Sequence, residues 1–305
     1  VPFEFIADLQ SVNILEKIQY LPRPDGGNGT LSKGSISYSL DGQSWTKVTD
    51  FSWEKNGKMK ELVFAKPIKA AYLRFDITGA AGNFGSGQEL YIFKVPGSPS
   101  YIPGDINEDN KIDSNDLTSY DNYTGLRKGD SDFDGYINKG DVNNNGLIDA
   151  YDISLVATKL EGGTNKKANA KLAPLTGEII LKADKANYKA GEIIEITVAG
   201  KDLASVNALS FALPYDPKQL DYISTNVVNK STKKMKELTK DRLHTNGDKA
   251  LYPTFVNLGQ APKINGSRKL FTIKFKAKQA YNYKLKAKDG FLVDPNLRHL
   301  KLWEN

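Results

Sequence analysis

One twelve-residue pattern occurs three times between residues 105 and 152, and it decides how the chain is interpreted. The copies read Asp105-Ile-Asn-Glu-Asp-Asn-Lys-Ile-Asp-Ser-Asn-Asp116, Asp130-Ser-Asp-Phe-Asp-Gly-Tyr-Ile-Asn-Lys-Gly-Asp141 and Asp141-Val-Asn-Asn-Asn-Gly-Leu-Ile-Asp-Ala-Tyr-Asp152. Positions 1, 3, 5, 9 and 12 are Asp or Asn throughout. Position 6 is Gly or Asn, the residues that best tolerate a left-handed turn. Position 8 is always Ile.

This spacing matches the ligand pattern of a calcium loop. Calcium takes six to eight hard oxygens, and position 7 of such a loop contributes its backbone carbonyl. Three matching copies disfavour the alternative, a solvated acidic linker. We therefore expect two or three calcium ions. The predicted ligands are Asp105, Asn107, Asp109, Lys111, Asp113 and Asp116 in loop one; Asp130, Asp132, Asp134, Tyr136, Asn138 and Asp141 in loop two; and Asp141, Asn143, Asn145, Leu147, Asp149 and Asp152 in loop three.

Loops two and three share a residue. Asp141 closes one and opens the other, so it either bridges two ions or serves one of them.

Helices are predicted after loops one and three. The apolar spacing of Leu117, Tyr120 and Tyr123 favours the first, and that of Ile153, Val156 and Leu160 favours the second, with Gly162-Gly163 as its stop. Pro103-Gly104 excludes a helix entering loop one. Two loop-then-helix units resemble a type I dockerin, the module that binds cohesins, over residues 101–162. Positions 10 and 11, where that family tends to carry a small hydroxyl pair for recognition, hold Ser114-Asn115 and Ala150-Tyr151.

The first third of the chain alternates in short strands divided by Gly-rich and Pro-rich turns, which predicts an antiparallel β-sandwich. Stretches such as residues 16–23, 38–45 and 82–90 resemble a discoidin (coagulation-factor C-type) domain, a jelly-roll carbohydrate-binding module, over 1–98. The resemblance implies that Arg23, Asn28 and Phe84 bind a glycan; the alternative is that they only support the loops. It also implies that about 40 residues of the domain are absent before Val1.

The last third is also strand-rich. Stretches at 191–198, 207–217, 270–275 and 290–294 resemble a cohesin, the sandwich that receives dockerins, over residues 171–305. A plain immunoglobulin-like spacer is the alternative, since many such sandwiches share the Tyr215-Asp216-Pro217 corner. A polar stretch, residues 161–170, is the expected linker.

Composition narrows the functional classes. The 305 residues suffice for two or three domains, and the absence of cysteine excludes disulfides and thiol chemistry. The net charge of +6 includes lysines that alternate with apolar residues, as over 269–278, so we expect a strand surface and no nucleic-acid binding. No apolar run is long enough for a membrane helix. Val1-Pro2-Phe3 begins no signal peptide, which suggests an interior start within a longer precursor.

Nothing in the sequence indicates catalysis. His244 and His299 stand in no metal or triad spacing, and both are expected at the surface. The predicted fold class is therefore multidomain: a truncated jelly-roll β-sandwich, a small α module with calcium loops, and a cohesin or immunoglobulin-like β-sandwich.

The functional expectation follows from this order of modules. It is a non-catalytic, calcium-stabilised accessory region of a glycoside hydrolase that is secreted, periplasmic or at the cell surface. Its expected partners are a glycan and a cohesin-like domain, either in the same chain or, in the adaptor alternative, on another protein.

Overall fold

The computed structural model describes residues 1–82, 84–135, 137–160, 174–228, 230, 232–258 and 263–303. These form two compact units, Val1–Asn110 and Lys111–Asn305, and each is described by itself. Tyr136, Gly162-Gly163 and the 161–170 linker lie outside the described residues.

The first unit is one antiparallel sheet of five strands in the order β3-β2-β4-β1-β5. Its strands are β1 (Phe3–Leu21), β2 (Leu31–Ser39), β3 (Thr46–Ser52), β4 (Lys60–Ala80) and β5 (Glu89–Lys94).

The two long strands change register part-way, so the sheet has two halves. Residues 3–8 of β1 pair with 72–77 of β4, and residues 13–20 pair with 60–70, with an irregularity between Asp8 and Asn13. Strand β2 joins the first half, whereas β5 joins the second. Side chains from both halves, such as Ile18 and Phe75, share one hydrophobic core. Burying these apolar side chains together is what holds the halves in place.

The second unit begins with helices. They are α1 (Ser114–Tyr123), α2 (Ser131–Gly135), a 3₁₀ turn (Ile137–Gly140) and α3 (Ala150–Leu160). The helices predicted after loops one and three are thus present, each beginning at position 10 of its loop. The sequence did not predict α2. Tyr120 of α1 is buried and its hydroxyl donates to the carbonyl of Gly140 at 2.7 Å, which ties α1 to the 3₁₀ turn.

The remainder of the unit is strand. The strands are β6 (Thr176–Ala183), β7 (Asn187–Tyr188), β8 (Ile193–Val206), β9 (Ala208–Pro214), β10 (Leu220–Val227), β11 (Lys236–Glu237), β12 (Lys240–Leu243), β13 (Lys249–Tyr252), β14 (Thr254–Val256), β15 (Ile264–Ala277), β16 (Tyr281–Asn282), β17 (Lys288–Val293) and β18 (His299–Lys301). A short 3₁₀ turn covers Thr232–Lys234.

Two sheets enclose the core of these strands. One has the order β10-β15-β8-β6, and the other is built around β9, which pairs with β13 and β14 and also with β17. Ile196 and Phe271 of the first sheet pack with Phe211 and Phe255 of the second. The predicted fold class of two β-rich modules around a small helical one is confirmed.

Candidate functional site

Loop three is folded around its own carboxylates. The amides of Asn145 and Gly146 donate to the two oxygens of Asp141 at 3.0 and 2.8 Å. The amide of Tyr151 donates to Asp149 at 2.7 Å, and that of Asp149 donates to Asp152 at 2.9 Å. Gly146 has φ +85°, the left-handed turn expected at position 6. Positions 1, 9 and 12 are therefore held by backbone donors of the loop itself.

Loop one repeats these bonds position by position. In the first unit, the amides of Asp109 and Asn110 donate to Asp105 at 3.1 and 2.9 Å, and Asn110 has φ +66°. In the second unit, Asn115 donates to Asp113 at 2.7 Å and Asp113 donates to Asp116 at 2.9 Å. Asp113 and Asp116 thereby form the capping box of α1.

Loop three concentrates buried negative charge. Asp141, Asp149 and Asp152 are all buried. Burial, and after it repulsion from Asp141, raises the pKa of Asp149 to about 6. Burial and the neighbouring carboxylates also raise the pKa of Asp152. A cation would relieve this cost, and these hard oxygens suit calcium.

The remaining predicted donors of loop three are neutral: the Asn143 and Asn145 amides and the Leu147 carbonyl. Within the described ranges, no three His, Cys, Asp or Glu side chains form a metal site by themselves. The coordination therefore stays a prediction.

The middle segment folds differently. Ser131–Gly135 is helical, and the amide of Asp134 donates to the backbone carbonyl of Asp130 at 2.9 Å and not to its carboxylate. Asp132 and Asp134 are exposed, and Asn138 donates to the Asp134 carbonyl at 3.2 Å. Both oxygens of Asp141 are engaged by loop three. Residues 131–135 therefore form a short helix where the pattern predicted part of a calcium loop, and the first turn of a helix accommodates acidic residues well.

Helix α3 packs against β9, β14 and β17. The amide of Ala150, at position 10 of loop three, donates to Oγ of Ser210 on β9 at 3.1 Å. Tyr151 is fully buried and meets the ring of His299 edge-on, with centroids 5.4 Å apart. Of the two pairs at positions 10 and 11, Ala150-Tyr151 is therefore covered, whereas Ser114-Asn115 is exposed.

The backbone of Gly125, just after α1, lies close to the ring of Tyr252. Gly125 has φ +81°, and a Cβ at this position would lie 2.6 Å from the ring of Tyr252. Leu147 packs on the same tyrosine together with Ala212 and Ala250. Only glycine permits this contact in this backbone conformation.

Charged side chains of the strands meet the end of α1. The Arg242 guanidinium donates to the Thr124 carbonyl at 2.9 Å and also to the Asn122 carbonyl. Lys240 lies 2.9 Å from the carboxylate of Asp121. Cations favour a helix C-terminus, where carbonyls are left without helical partners.

A further set of polar contacts involves His244. This residue is only 4% exposed, so its expected surface position was wrong; His299 is exposed as expected. The Nδ1 atom of His244 lies 2.8 Å from the Asp130 carboxylate, and its Nε2 atom lies 2.8 Å from the Tyr252 hydroxyl. No spacing in the sequence could have revealed a contact between residues so far apart along the chain.

The residues that the sequence predicts for a glycan site lie on neighbouring loops of the first unit. The Ser86 hydroxyl donates to the Asn28 carbonyl at 3.1 Å, and a Cβ on Gly29 would meet the Phe84 ring at 2.9 Å. Phe84 is 51% exposed. Arg23 is exposed five residues before Asn28.

The sequence analysis missed an apolar cavity beside this loop. It has a volume of about 320 Å³, and its lining includes Phe3, Tyr20, Trp53 and residues 85–90.

Three family models match successive stretches of the chain. They are the F5/8 type C domain over residues 2–90, the dockerin type I domain over 103–170 and the cohesin domain over 179–299. Together these three matches cover most of the chain. This is the order predicted from the sequence.

Solved structures of single modules are similar to parts of the chain. CpGH89CBM32-5 from Clostridium perfringens, solved with GalNAc-β-1,3-galactose, is 29% identical with a TM-score of 0.29, over 30% of this chain and 66% of that one. CBM32-1 from a family 31 glycoside hydrolase of the same organism is 32% identical with a TM-score of 0.30, over 31% and 70%. A cohesin module from a Clostridium perfringens family 33 glycoside hydrolase is 13% identical with a TM-score of 0.33, over 42% and 91%.

Domains of these three kinds are non-catalytic, and they are typical of extracellular proteins. Type I dockerins bind calcium, cohesins and dockerins associate with proteins, and the F5/8 type C match suggests glycan binding. Among the helices that the structure describes, none has the length and apolarity needed to cross a membrane.

Proposed function

We propose that this chain is the accessory region of a larger secreted glycoside hydrolase and that its dockerin docks on its own cohesin. The observation that carries this proposal is the burial of α3. Its residues 150–157 are buried, and the Ala150 amide is satisfied by Ser210 of β9. A dockerin that served a cohesin elsewhere would need this face free.

Calcium orders the docking face in this account. Loop three ends where α3 begins, so the ion that neutralises Asp141, Asp149 and Asp152 also fixes the first turn of the docking helix. Loop one holds a second ion through the equivalent residues. An ion present at about 100 times its dissociation constant adds about 2.7 kcal/mol to the stability of the module.

The F5/8 type C domain supplies glycan binding. Phe84 offers an exposed aromatic face to the C–H side of a pyranose ring, while Asn28 and Arg23 offer donors to its hydroxyls. The family match together with the exposure of Phe84 supports this assignment.

The adaptor alternative has one observation in its favour. Ser114 and Asn115 of loop one are exposed at the positions equivalent to Ala150 and Tyr151. A second surface for a cohesin on another protein would lie here.

A cleavage experiment distinguishes the two functions. A protease site placed in the 161–170 linker allows the folded chain to be nicked, and the fragments are then analysed by size-exclusion chromatography. Docking within the chain predicts that they co-elute in calcium and separate in chelator. The intact chain should remain monomeric at protein concentrations well below about 1 mM, because the linked partner has an effective concentration in the millimolar range. Fragments that separate in calcium, or an intact chain that forms dimers on concentration, would contradict the proposal.

A further inference from the structure

The segment between α1 and α2 contacts one hairpin turn of the strand-rich part of the second unit. The segment is residues 127–131, and the turn is residues 244–248, which connect β12 to β13. Side chains and backbone groups of both stretches take part in the contact. We call residues 127–131 the clamp segment and residues 244–248 the receiving turn.

Asp130 is the centre of this contact, and its carboxylate is contacted by three protein donors. One oxygen accepts from the amide of Thr245 at 3.1 Å. The other accepts from the amide of Arg127 at 3.0 Å and lies 2.8 Å from Nδ1 of His244. Burial opposes ionisation of Asp130, but these hydrogen bonds outweigh it and hold its pKa below the usual value. Because an ionised carboxylate only accepts, Nδ1 of His244 carries a proton.

The hydrogen-bond network continues from His244 of the receiving turn to Tyr252 of β13. Nε2 of His244 lies 2.8 Å from the hydroxyl of Tyr252, and Tyr252 is the residue against which Gly125 packs. Asp130, His244 and Tyr252 are all buried. These hydrogen bonds therefore connect Asp130 of the clamp segment to Tyr252, the ring on which Gly125 packs.

Three further hydrogen bonds flank this network. The Arg127 guanidinium donates to Oδ1 of Asn246 at 3.1 Å and to Oδ2 of Asp248 at 2.7 Å. The amide of Ser131 donates to Oγ1 of Thr245 at 3.1 Å. All three bonds are more exposed than the central network, so we expect each to contribute less than the contact through Asp130.

The same geometry disfavours Asp130 as a calcium ligand. In loops one and three, the amides at positions 5 and 6 turn inward onto the first carboxylate. Here the amide at position 5 belongs to a helical turn, and the carboxylate faces His244 and Thr245. A metal at this position would have to displace three protein donors.

We infer that the clamp segment is a recognition element for the receiving turn and not a third calcium loop. This inference rests on the proposed docking and identifies which feature of a dockerin the receiving turn recognises. The receiving turn fits dockerins that present a carboxylate between their two helices. A dockerin without that carboxylate would leave the buried His244 ring and the part-buried Thr245 amide without an acceptor, which disfavours binding.

The test compares two neighbouring aspartates in the nicked chain. Asp130→Asn keeps the shape of the side chain but places a donor against a donor at either His244 or Thr245. Asp132→Asn makes the same change two residues further along the chain, on an exposed side chain of α2. Fragment dissociation constants and the number of calcium ions, counted by native mass spectrometry, are measured for both.

We expect Asp130→Asn to weaken fragment association by about 10- to 100-fold, the range for leaving buried polar groups unsatisfied, with an unchanged ion count. Asp132→Asn should alter neither quantity. Loss of an ion in either variant would overturn the inference and restore the calcium loop. Unchanged affinity in Asp130→Asn would overturn it as well.

A variant of the receiving turn controls for the possibility that Asp130→Asn only disturbs the folding of the dockerin fragment. His244→Gln should weaken association too, and the double variant should lose less than the sum of the two single losses, because both remove the same contact. Strict additivity would contradict a direct Asp130–His244 contact. If the wild-type fragments separate in calcium, the proposed docking itself fails, which is distinct from a tight pair that tolerates Asp130→Asn.

Discussion

The backbone amide of Ala150 donates a hydrogen bond to the side-chain hydroxyl of Ser210 at 3.1 Å. Ala150 is the first residue of α3 and position 10 of loop three, whereas Ser210 lies in β9 of the cohesin. Asp149, the preceding residue, is a predicted calcium ligand. One turn of backbone thus belongs to both the predicted calcium loop and the proposed docking face, so we expect a change in one to affect the other.

Ser210→Ala should weaken docking. The substitution leaves the buried Ala150 amide without an acceptor, at a cost of about 1–3 kcal/mol. The dissociation constant of the nicked fragments measures the effect. Ser224→Ala, on β10 of the other sheet, is the matched control and should leave the dissociation constant unchanged. Equal affinity in both variants would show that the bond contributes nothing to docking.

Gly125→Ala should dislodge the dockerin. An alanine Cβ would lie 2.6 Å from the Tyr252 ring in a backbone with φ +81°. Gly191 has φ +86° and open space around its missing Cβ, so Gly191→Ala carries the same backbone strain of about 1–2 kcal/mol without the clash. Fragment dissociation should increase only for Gly125→Ala. A similar increase for both variants would attribute the effect to strain alone.

Calcium counting tests the two loops. We expect two ions in the wild-type chain and the loss of one in either Asp105→Ala or Asp141→Ala. Docking should weaken more in Asp141→Ala, because loop three precedes the docking helix. Loss of two ions in Asp141→Ala would instead favour a ligand that bridges two ions. Native mass spectrometry gives the counts.

The calcium-free module should lose stability as pH rises. The pKa of Asp149 is about 6 in the folded chain against an ordinary 3.8, so the folded state binds its proton more tightly than the unfolded state does. This contribution is complete below the ordinary pKa and is lost as pH rises through about 6, a change of about 3 kcal/mol. Calcium must displace the proton, so its affinity should increase with pH and level off above about 6.

Melting curves in chelator across this pH range provide the measurement. Asp149→Asn is the matched variant, because it removes one of the two buried carboxyls whose pKa is raised and keeps the shape of the side chain. Identical pH dependence in the variant and the wild type would assign the effect to other groups.

Phe84→Ala should abolish glycan binding by the F5/8 type C domain. The ring supplies the only large exposed apolar face that we assign to the sugar. Tyr91→Ala removes another exposed aromatic of the same unit, 42% exposed, and should have no effect. A glycan array identifies a ligand, and calorimetry compares the variants on it. Equal binding by Phe84→Ala and the wild type would place the sugar elsewhere, with the cavity beside Trp53 as the next candidate.

The sequence predicted the features that depend on local spacing. Loops one and three need oxygen donors at fixed intervals and a left-handed residue at position 6, and Asn110 and Gly146 adopt that conformation. The helices that follow were predicted from apolar periodicity, and their buried residues include Tyr120 and Ile153.

The middle segment adopts a backbone geometry that spacing alone did not predict. Asp130, Asp132 and Asp134 suit a calcium loop, but acidic residues also suit the first turn of a helix, so the pattern alone cannot separate the two. What distinguishes them is His244, which is 114 residues away along the chain from Asp130. Burial of that histidine depends on how residues 127–131 contact the turn between β12 and β13, and spacing within one segment carries no information about such a contact.

Disulfide trapping tests docking within the chain most directly. The sequence contains no cysteine, so Ala150→Cys with Ser210→Cys introduces the only two thiols, at positions already in hydrogen-bond contact. Oxidation of the dilute protein in calcium should give a monomer with an internal disulfide, visible on a non-reducing gel, and chelator should suppress it. Disulfide-linked dimers, or free thiols in calcium, would contradict the account.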